Sequence, residues 1–517
     1  MTSAWIIAPV LLPALAAPFL VLALRHDLGR QRRVSLAATW LLLLAAAGLY
    51  ALASDGITRP YLLGDWPAPF GIVLVLDRLS ATMVLLAAVL AVVVAHYAAR
   101  GWDAAGRHFH PLFQFQLMGI NGAFLTGDVF NLFVFFEVML IASYGLLLHG
   151  GGPRRIGAGF HYVAINLVGS TLFLFAVGLI YAVTGTLNMA DLARKVREVG
   201  AGDEALLRTG ASLLFVVFAL KAALVPLHWW LPRAYAAAPA PVAALFAVMT
   251  KVGAYCIIRA STLMFGAEGG AAAQIAAPLI APAALATLVV GAAGVLASRS
   301  LSDLTCFAIV WSMGSLLVAA ALPGVGGLTA ALYYTLHSTL AGAALFLIAD
   351  LVAARRGRWR DRLAESPGMA QAPSVGGVFF LAAIAMAGLP PLSGFVGKVM
   401  ILDASRDDRA AAWIWAVLLG TSLLVIVGFA RAGSLLFWKS GADAAADGDA
   451  AAPRGPARPR AGPMAAAALL VAGTALLTLF AGPVTRHLEA AARQALDPAS
   501  YVGAVLGPVP ATRLSGR

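Results

Sequence analysis

Apolar runs long enough to cross a bilayer follow one another along most of this 517-residue chain. A membrane-spanning helix needs about 20 apolar residues, and fourteen runs are near that length or longer. The chain is 61% hydrophobic and 12% charged, and a soluble protein of this length could not bury so much apolar surface. The sequence therefore predicts an all-α polytopic membrane protein. The predicted spans are, in chain order, 5–24, 34–54, 77–98, 111–127, 129–149, 160–183, 208–230, 240–262, 275–298, 303–322, 327–353, 374–402, 411–437 and 463–483.

Basic residues concentrate in the loops that follow odd-numbered spans. RHDLGRQRR at 25–33 follows the first span, and RRGRWRDR at 355–362 follows the eleventh. The loops after even-numbered spans are neutral or mixed in charge. Because cytoplasmic loops carry an excess of Lys and Arg, the pattern predicts a multi-pass protein of the cytoplasmic membrane with both termini outside. It also explains the net charge of +12, so we expect a lipid bilayer and no nucleic acid as partner.

The remaining sequence suggests little further chemistry. Residues 438–462 are rich in Ala, Pro and Gly and predict a disordered cytoplasmic loop, and residues 463–517 supply the last span and a short tail. Cys256 and Cys306 lack metal-ligand spacing, so we expect them to pack in the interior, with neither a metal nor a cofactor bound. The N-terminus lacks the basic region and cleavage site of a signal peptide, and we expect the first span to be retained.

Four charged residues interrupt the apolar runs. Glu137 lies in NLFVFFEVML, Lys221 in LFVVFALKAAL, Lys251 in FAVMTKVGAY and Lys398 in SGFVGKVMIL. A charge at bilayer depth costs at least ~2.5 kcal/mol, and such residues usually mark ion or proton pathways. The four residues therefore predict a route for protons or cations across the membrane.

Prolines stand next to two of these lysines in mid-span. Pro226 follows Lys221, and Pro390 with Pro391 precedes Lys398. Proline removes a backbone donor, so both spans should break there. In a membrane such a break is tolerated only where protein or a water-filled cavity satisfies the freed backbone groups. Two broken spans, each with a lysine, are typical of matched halves of an internal repeat around a mid-membrane ion site.

The pattern assigns each group a hypothetical role. Glu137 and Lys221 are predicted partners whose approach and separation would move a proton, and the alternative is a static ion pair between spans 5 and 7. Lys251 is the predicted next relay site, unless it is a lysine at the membrane interface. Histidine titrates near neutral pH, so His337 in YYTLHSTLAG is predicted to pass protons from Lys251 to Lys398, with a hydrogen-bonded core histidine as the alternative. Lys398 is the predicted exit.

Other polar residues receive lesser roles. His161 and Asn166 in the sixth span are expected to hydrate the Glu137 site. Asp350 and Arg259 lie toward the ends of spans and are expected to be structural. The single titratable groups are spread over different spans, which suits a hydrated proton path better than a compact catalytic site.

Three stretches resemble a known family. They are GDVFNLFVFFEVMLIASYGLL around Glu137, KAALVPLHWWLPRAYAAAPAPVAALFAVMTKVGAY through Lys221 and Lys251, and GLPPLSGFVGK ending at Lys398. Over residues 70–440 the chain resembles the antiporter-like membrane subunits shared by respiratory complex I and the Mrp (Pha) multisubunit cation/proton antiporters. The D subunits of the Mrp type are the closer match.

The resemblance implies an architecture and an activity. The fold would have fourteen helices: three in an N-terminal segment at 1–110, two inverted five-helix repeats at 111–262 and 275–437 with spans 7 and 12 broken, and one at the C-terminal end. The activity would be exchange of external protons for internal sodium or potassium by a complex of six or seven subunits. The chain would be a subunit of a secondary transporter and not an enzyme.

The resemblance also implies the relay roles given above for the glutamate and the three lysines. One departure stands out. Many relatives carry a further lysine five residues after the histidine equivalent to His337, and this chain has Gly342 there. The middle of the route therefore depends on His337 with water, or follows another path.

Two other functions are compatible with the sequence besides that of a proton-translocating antiporter subunit. One is an antiporter-like subunit of a respiratory complex I or a membrane hydrogenase, driven by redox chemistry in other subunits and related to NADH-quinone oxidoreductases. The other is a membrane scaffold whose buried charges only fix helix register.

Overall fold

The computed structural model describes residues 2–440 and 461–507, which are mostly helical. Most of the disordered loop predicted at 438–462 lies outside the described residues. A β-hairpin pairs β1 (Arg59–Leu62) with β2 (Val73–Leu76) in antiparallel register. The α-helices are α1 Ala8–Leu22, α2 Leu28–Ala53, α3 Arg78–Ala98, α4 Phe109–Leu125, α5 Val129–Leu147, α6 Pro153–Thr184, α7 Met189–Lys195, α8 Glu204–Lys221, α9 Trp230–Ala237, α10 Ala240–Phe246, α11 Met249–Arg259, α12 Ala277–Ala297, α13 Leu301–Ala321, α14 Gly324–Arg355, α15 Ala372–Ala387, α16 Ser393–Ala404, α17 Ala411–Gly433, α18 Ala461–Leu479, α19 Ala481–Ala495 and α20 Pro498–Leu506.

The polytopic character is confirmed. Within the described residues, eleven helices are long and apolar enough to cross a membrane. Three of the fourteen predicted spans fall instead on the shorter α4 and on two pairs of half-helices, α8 with α9 and α15 with α16. The interior is formed by α3, α10, α11, α13 and α14, whose apolar stretches are mostly or wholly buried. α14 occupies the centre, since it packs on α10, α13, α15, α16 and α18.

The first interrupted span lies between α8 and α9, where the sequence carries Pro226. The loosened backbone finds partners within the protein. The Val225 N–H donates to Thr287 Oγ1 of α12 at 2.9 Å, and the Leu220 carbonyl accepts from the Trp230 indole at 3.0 Å. These contacts supply what a helix break at bilayer depth requires.

The second interrupted span lies between α15 and α16, at the two adjacent prolines. Gly388 ends α15 with φ +72°, a left-handed conformation that glycine adopts without a steric penalty. The Leu389 N–H donates to the Ile384 carbonyl at 3.0 Å. The Ala387 carbonyl accepts a hydrogen bond from the Lys398 side chain, so the break also provides a ligand for the buried lysine.

The connections between spans sort onto two faces. The hairpin face comprises the connections at 54–77, 126–128 and 185–203, which are joined by bridges between Leu74 and Thr126 and between Asp128 and Asn188. Both described ends of the chain lie on this face, because the turn at Thr2–Ile7 and α20 contact the hairpin strands.

The arginine face is opposite. It comprises the connections at 99–108, 148–152, 298–300 and 356–371, and a bridge between Ser300 and Arg362 joins two of them. The alternation of basic and mixed loops in the sequence thus corresponds to two separate surfaces of the molecule.

Several elements were not predicted. Four of them lie on the hairpin face: the hairpin itself, the short α7, and the tail helices α19 and α20. The eighth predicted span is divided into α10 and α11 and then widens into a π-helix at Ala260–Met264. These features depend on contacts between distant segments, which local apolar periodicity does not report.

Candidate functional site

The candidate site is a series of titratable side chains on five helices. The four basic residues are buried, with exposed fractions of 6% or less, and the glutamate is half-buried. Their positions are Glu137 on α5, Lys221 at the end of α8, Lys251 on α11, His337 on α14 and Lys398 on α16.

The lysines of the chain divide into two groups. There are five in the whole sequence, and three are the buried residues of the site. The other two lie at the surface: Lys195 is 41% exposed beside Asp191, and Lys439 is 59% exposed near Glu365. Burial of a lysine is expensive, and the buried ones are the lysines that the sequence places within apolar runs.

Glu137 and Lys221 meet through α6. The Ser170 hydroxyl donates a hydrogen bond to Glu137, and Lys221 Nζ donates to Asn166 Oδ1 at 2.7 Å. Asn166 and Ser170 are four residues apart, so they lie one turn from each other on the same side of α6. Among the described residues no direct ion pair joins the glutamate and the lysine; each charge is held by its own polar neighbour.

The end of α8 is fixed by a close approach of α11. A Cβ atom on Gly253 would lie 2.5 Å from the Ala222 backbone nitrogen. Only glycine permits this contact, because it has no Cβ atom. The contact packs α11 directly against the end of α8, where the span is interrupted. Lys221 and Lys251 are thereby held on two helices that touch directly.

Lys251 is the least satisfied of the buried lysines. It is 0% exposed, and its hydrogen-bonding neighbour in the described chain is the thioether of Met313 on α13, at 3.4 Å. A thioether is a weak acceptor, so the protein compensates an ammonium charge poorly at this position. The side chain lies inside the protein and not at its surface.

His337 connects α14 to the second interrupted span. Its Nδ1 lies 2.9 Å from the hydroxyl of Ser393, the first residue of α16. The imidazole is 0% exposed and packs edge-on against Tyr334, with ring centres 5.4 Å apart. It lies within electrostatic range of both Lys251 and Lys398. The histidine is therefore a neighbour of both lysines.

Lys398 has the most complete set of partners. Its Nζ donates to the Ala387 carbonyl and to Ser422 Oγ of α17, the latter at 2.7 Å. It also lies 4.5 Å from the centre of the Trp311 ring, which supplies a cation–π contact. The broken helix, a hydroxyl and an aromatic face together stabilise a charge here.

The lesser polar residues are distributed as follows. Asn166 contacts the Lys221 head, whereas His161 is exposed and contacts Arg233. Asp350 accepts hydrogen bonds from Tyr97 and Trp102 at 2.7 and 2.8 Å. These bonds tie α14 to α3 and to the turn that follows it.

Arg259 also has a structural role. It forms a buried ion pair with Asp77 at 2.7 Å, at the start of α3. It contacts the rings of Tyr255 and Tyr501 as well, which joins α11 to the tail helix α20.

The hydroxyl and thioether partners escaped the sequence analysis. Ser170, Ser393, Ser422 and Met313 each contact one titratable group. Of these four residues, only Ser170 could have been identified from the sequence, because it lies four residues after Asn166 and so on the same side of the helix. The others come from helices far apart in sequence, and their proximity is a product of the tertiary structure.

Comparison with known proteins gives a consistent result. The sequence profile described as "NADH:quinone oxidoreductase/Mrp antiporter, TM" matches residues 126–426. The probable D subunit of a K(+)/H(+) antiporter from Rhizobium meliloti (strain 1021) is 41% identical over 97% of each chain. The D subunit of a Na(+)/H(+) antiporter from Alkalihalophilus pseudofirmus (strain OF4) is 37% identical over 97% of this chain and 99% of its own.

A solved structure of a relative has the same fold. A chain in the structure of the Mrp complex from Dietzia sp. DQ12-45-1b superposes with a TM-score of 0.85 at 30% identity, covering 98% of this chain and 99% of that one. These relatives are transporter subunits rather than enzymes. The chain therefore belongs to the family of membrane subunits shared by NADH:quinone oxidoreductase and the Mrp antiporters, within the group of Mrp-type D subunits.

Proposed function

We propose that this chain is the proton-translocating subunit of a multisubunit Na+ (K+)/H+ antiporter, which exchanges external protons for internal monovalent cations. The observation that carries the proposal is the placement of three buried lysines and a buried histidine on helices that are interrupted or central. The named functions of the relatives support it, since one is a K(+)/H(+) and another a Na(+)/H(+) antiporter subunit.

The proposed relay begins at Glu137 and Lys221. Both side chains contact one face of α6. A change of side-chain rotamer at Glu137 or at Lys221 would bring the carboxylate and the ammonium together or move them apart. Opposite charges stabilise each other when close, and separation at bilayer depth favours the neutral pair. A proton released by Lys221 would pass to Lys251, then through His337 to Lys398.

We also propose the finer architecture that the family resemblance implies. Fourteen spans result if α4 and the two pairs of half-helices are added to the eleven long helices. Residues 111–262 and 275–437 would then be inverted repeats. Support comes from the corresponding interruptions, each of which lies beside a buried lysine.

Other subunits are proposed partners. Glu137 is only half-buried, and its neighbours Phe130, Val134 and Ile141 on α5 are 46%, 40% and 63% exposed. A carboxylate at this depth is unfavourable against lipid. Cover by another subunit would remove that cost, and a solved relative belongs to an Mrp complex. The bilayer would be the cytoplasmic membrane, with the arginine face inside and both termini outside.

The alternative of a proton-pumping subunit in a respiratory or hydrogenase complex has one observation in its favour, which is the description of the family itself. Both full-length relatives reported above are named antiporter subunits, and this favours cation/proton exchange.

The test is proton flux driven by Na+ or K+ in membrane vesicles that contain the whole complex. Glu137→Ala, Lys221→Ala, Lys251→Ala and Lys398→Ala are compared with wild type at matched complex abundance. Lys195→Ala and Lys439→Ala are the matched controls, because they remove surface lysines. His337→Ala probes the middle of the relay.

Loss of flux in the buried variants with intact assembly is the expected result. Normal flux per complex in all the buried variants would leave only the scaffold function. The comparison of Na+ with K+ identifies the transported cation.

A further inference from the structure

A cavity of about 300 Å³ opens on the arginine face. It lies between the first turn of α6, the connection from α9 to α10, the C-terminal half of α14 and the connection at 356–371. Three arginines line it: Arg154 and Arg155 at the start of α6, and Arg360 in the connection after α14. The cavity is separate from the proposed relay, because none of the five relay residues lines it.

The three guanidinium groups are close enough to repel one another. Arg155 lies within electrostatic range of both Arg154 and Arg360. Within the described residues, none of the three forms an ion pair. Like charges at short range destabilise each other, and an anion placed among them removes that cost.

Two carboxylates also line the cavity, but both are held by other donors. Asp350 accepts hydrogen bonds from Tyr97 and Trp102. Asp361 accepts from the backbone N–H and the hydroxyl of Ser302, at 3.0 and 2.6 Å. Three arginines against two carboxylates leave the lining with a net positive charge. The lining therefore favours an anionic ligand.

Two of the arginines have donors to spare. Arg155 donates to three backbone carbonyls at 3.0–3.3 Å, so it holds the walls of the cavity in place. Arg154 donates once, at 3.3 Å, to a carbonyl near the end of α9. The Arg360 side chain donates no hydrogen bond within the described part of the chain. Because a guanidinium carries five N–H donors in a planar fork, Arg154 and Arg360 are suited to bind a phosphate.

The surroundings of the cavity favour a phosphate carried by a lipid. Arg154 is exposed at its edge, and the same part of α6 carries Ile156 and Phe160, which are 61% and 74% exposed. These two apolar residues are four positions apart and so share one side of the helix. Acyl chains would cover this apolar side while the headgroup meets the arginines, as in basic pockets between membrane helices.

We propose that the cavity binds the phosphate of an anionic phospholipid, with Arg154 and Arg360 as its donors. The start of α6 adds to the attraction. This helix has 32 residues and no side-chain cap, so its free N–H groups and the positive end of its dipole also favour an anion. The inference does not depend on the proton relay, because lipid binding is measured without transport.

The experiment titrates the purified whole complex with phosphatidylglycerol or phosphatidylcholine in detergent micelles and counts the bound lipid by native mass spectrometry. Phosphatidylglycerol is anionic, and phosphatidylcholine is zwitterionic. Arg154→Gln combined with Arg360→Gln removes both donors and leaves Arg155 to hold the walls. Arg358→Gln combined with Arg362→Gln is the matched control, because it removes two arginines from the same face that do not line the cavity.

We expect one phosphatidylglycerol molecule to bind the wild-type complex more tightly than any phosphatidylcholine molecule does. Its affinity should fall about thirtyfold in the double cavity variant and about fivefold in Arg360→Gln alone. The control should keep the wild-type affinity. If the double cavity variant fails to assemble, Arg360→Gln decides, because that side chain has no hydrogen bond within the described residues to lose.

Unchanged affinity in the cavity variants would overturn the proposal. An equal loss in the control would also overturn it, since general surface charge would then explain the binding. Inorganic phosphate is the second probe, and its binding is measured by the unfolding midpoint of the complex. A midpoint raised by inorganic phosphate in wild type but not in the double cavity variant, without a preference for phosphatidylglycerol, would assign the cavity to free phosphate and exclude the lipid.

Discussion

Each buried ammonium in this protein depends on very few partners. Lys221 has one amide oxygen, Lys251 has a thioether, and Lys398 has a carbonyl, a hydroxyl and an aromatic ring. In a medium of low dielectric, a charge is sensitive to the gain or loss of one such contact. We therefore expect neutral neighbouring groups to influence how readily each lysine holds its proton.

Asn166 is the clearest case. Asn166→Ala removes the acceptor 2.7 Å from Lys221 Nζ, and we expect flux per complex to fall by roughly tenfold, since a hydrogen bond to a charged group contributes about 1.5–3 kcal/mol. Thr171→Ala is the control on the same helix, because its exposed hydroxyl bonds only to the backbone. Equal flux in the two variants would show that Asn166 does not position Lys221.

Gly388→Ala tests the site at the second break. A Cβ atom there would lie 2.5–2.7 Å from the Lys398 side chain, and the residue has φ +72°. We expect a cost of about 1 kcal/mol from the backbone alone, and displacement of the lysine from its acceptors. Flux per complex should fall with Gly388→Ala, whereas Gly377→Ala on α15, with open space around it, should be neutral.

At the scale of elements, the interrupted helices combine two tasks. A break exposes backbone polar groups that lipid cannot satisfy, so other helices must supply partners. α12 supplies one to the first break through Thr287, and the lysine of α16 supplies one to the second. Backbone groups at both breaks thus have partners within the protein.

Thr287→Val should destabilise the first break. Valine has nearly the same shape but leaves the Val225 N–H without its acceptor, at a cost of about 1–3 kcal/mol. The unfolding midpoint of the detergent-solubilised complex should fall. Thr262→Val is the control, because that hydroxyl contacts only the carbonyl of Ile258 on its own helix. An unchanged midpoint for Thr287→Val would mean that the break does not need α12.

A cluster on the arginine face gives a pH-dependent prediction. Burial by itself raises the pKa of Asp103, but hydrogen bonds from His110 and Arg32 outweigh it, so the pKa lies below its usual value. A lowered native pKa adds stability above the unfolded pKa near ~3.9, and that stability is lost as pH falls. Asp103→Asn should therefore lower the unfolding midpoint of the solubilised complex at pH ~7, and its difference from wild type should shrink below pH ~4. A difference that is constant with pH would exclude the charge as its source.

For the whole molecule, the main feature is the separation of its two faces. The hairpin face carries basic and acidic residues together, whereas the arginine face is rich in arginine. Since loops rich in Lys and Arg usually remain in the cytoplasm, this asymmetry predicts the orientation proposed above. The orientation in turn sets which ends of the proposed relay meet the outside and the inside.

Accessibility to a membrane-impermeant thiol reagent tests the orientation. The native cysteines at 256 and 306 are buried, so introduced thiols give the signal. Asp65→Cys, in the connection of the hairpin, should react in intact cells. Arg358→Cys, on the arginine face, should react only after the membrane is opened. The reverse pattern would invert the proposed topology.

The sequence alone determined the fold class, the helix breaks and the identities of the three buried lysines. Each of these depends on local composition: apolar length sets a span, proline removes a backbone donor, and a charge stands out in an apolar run. The family membership, predicted from three motifs, is confirmed by the comparisons. The roles in proton transfer remain predictions.

Only the tertiary structure decided what each of these residues touches. Sequence reasoning expected Glu137 and Lys221 to be partners that approach and separate, and the structure shows each resting on α6 through its own hydrogen bond. It also left the path around Gly342 open, and the nearest neighbours of that position are the apolar side chains of Ile309 and Met386. The physical reason is that apolar periodicity reports burial, whereas hydrogen-bond partners come from helices distant in sequence.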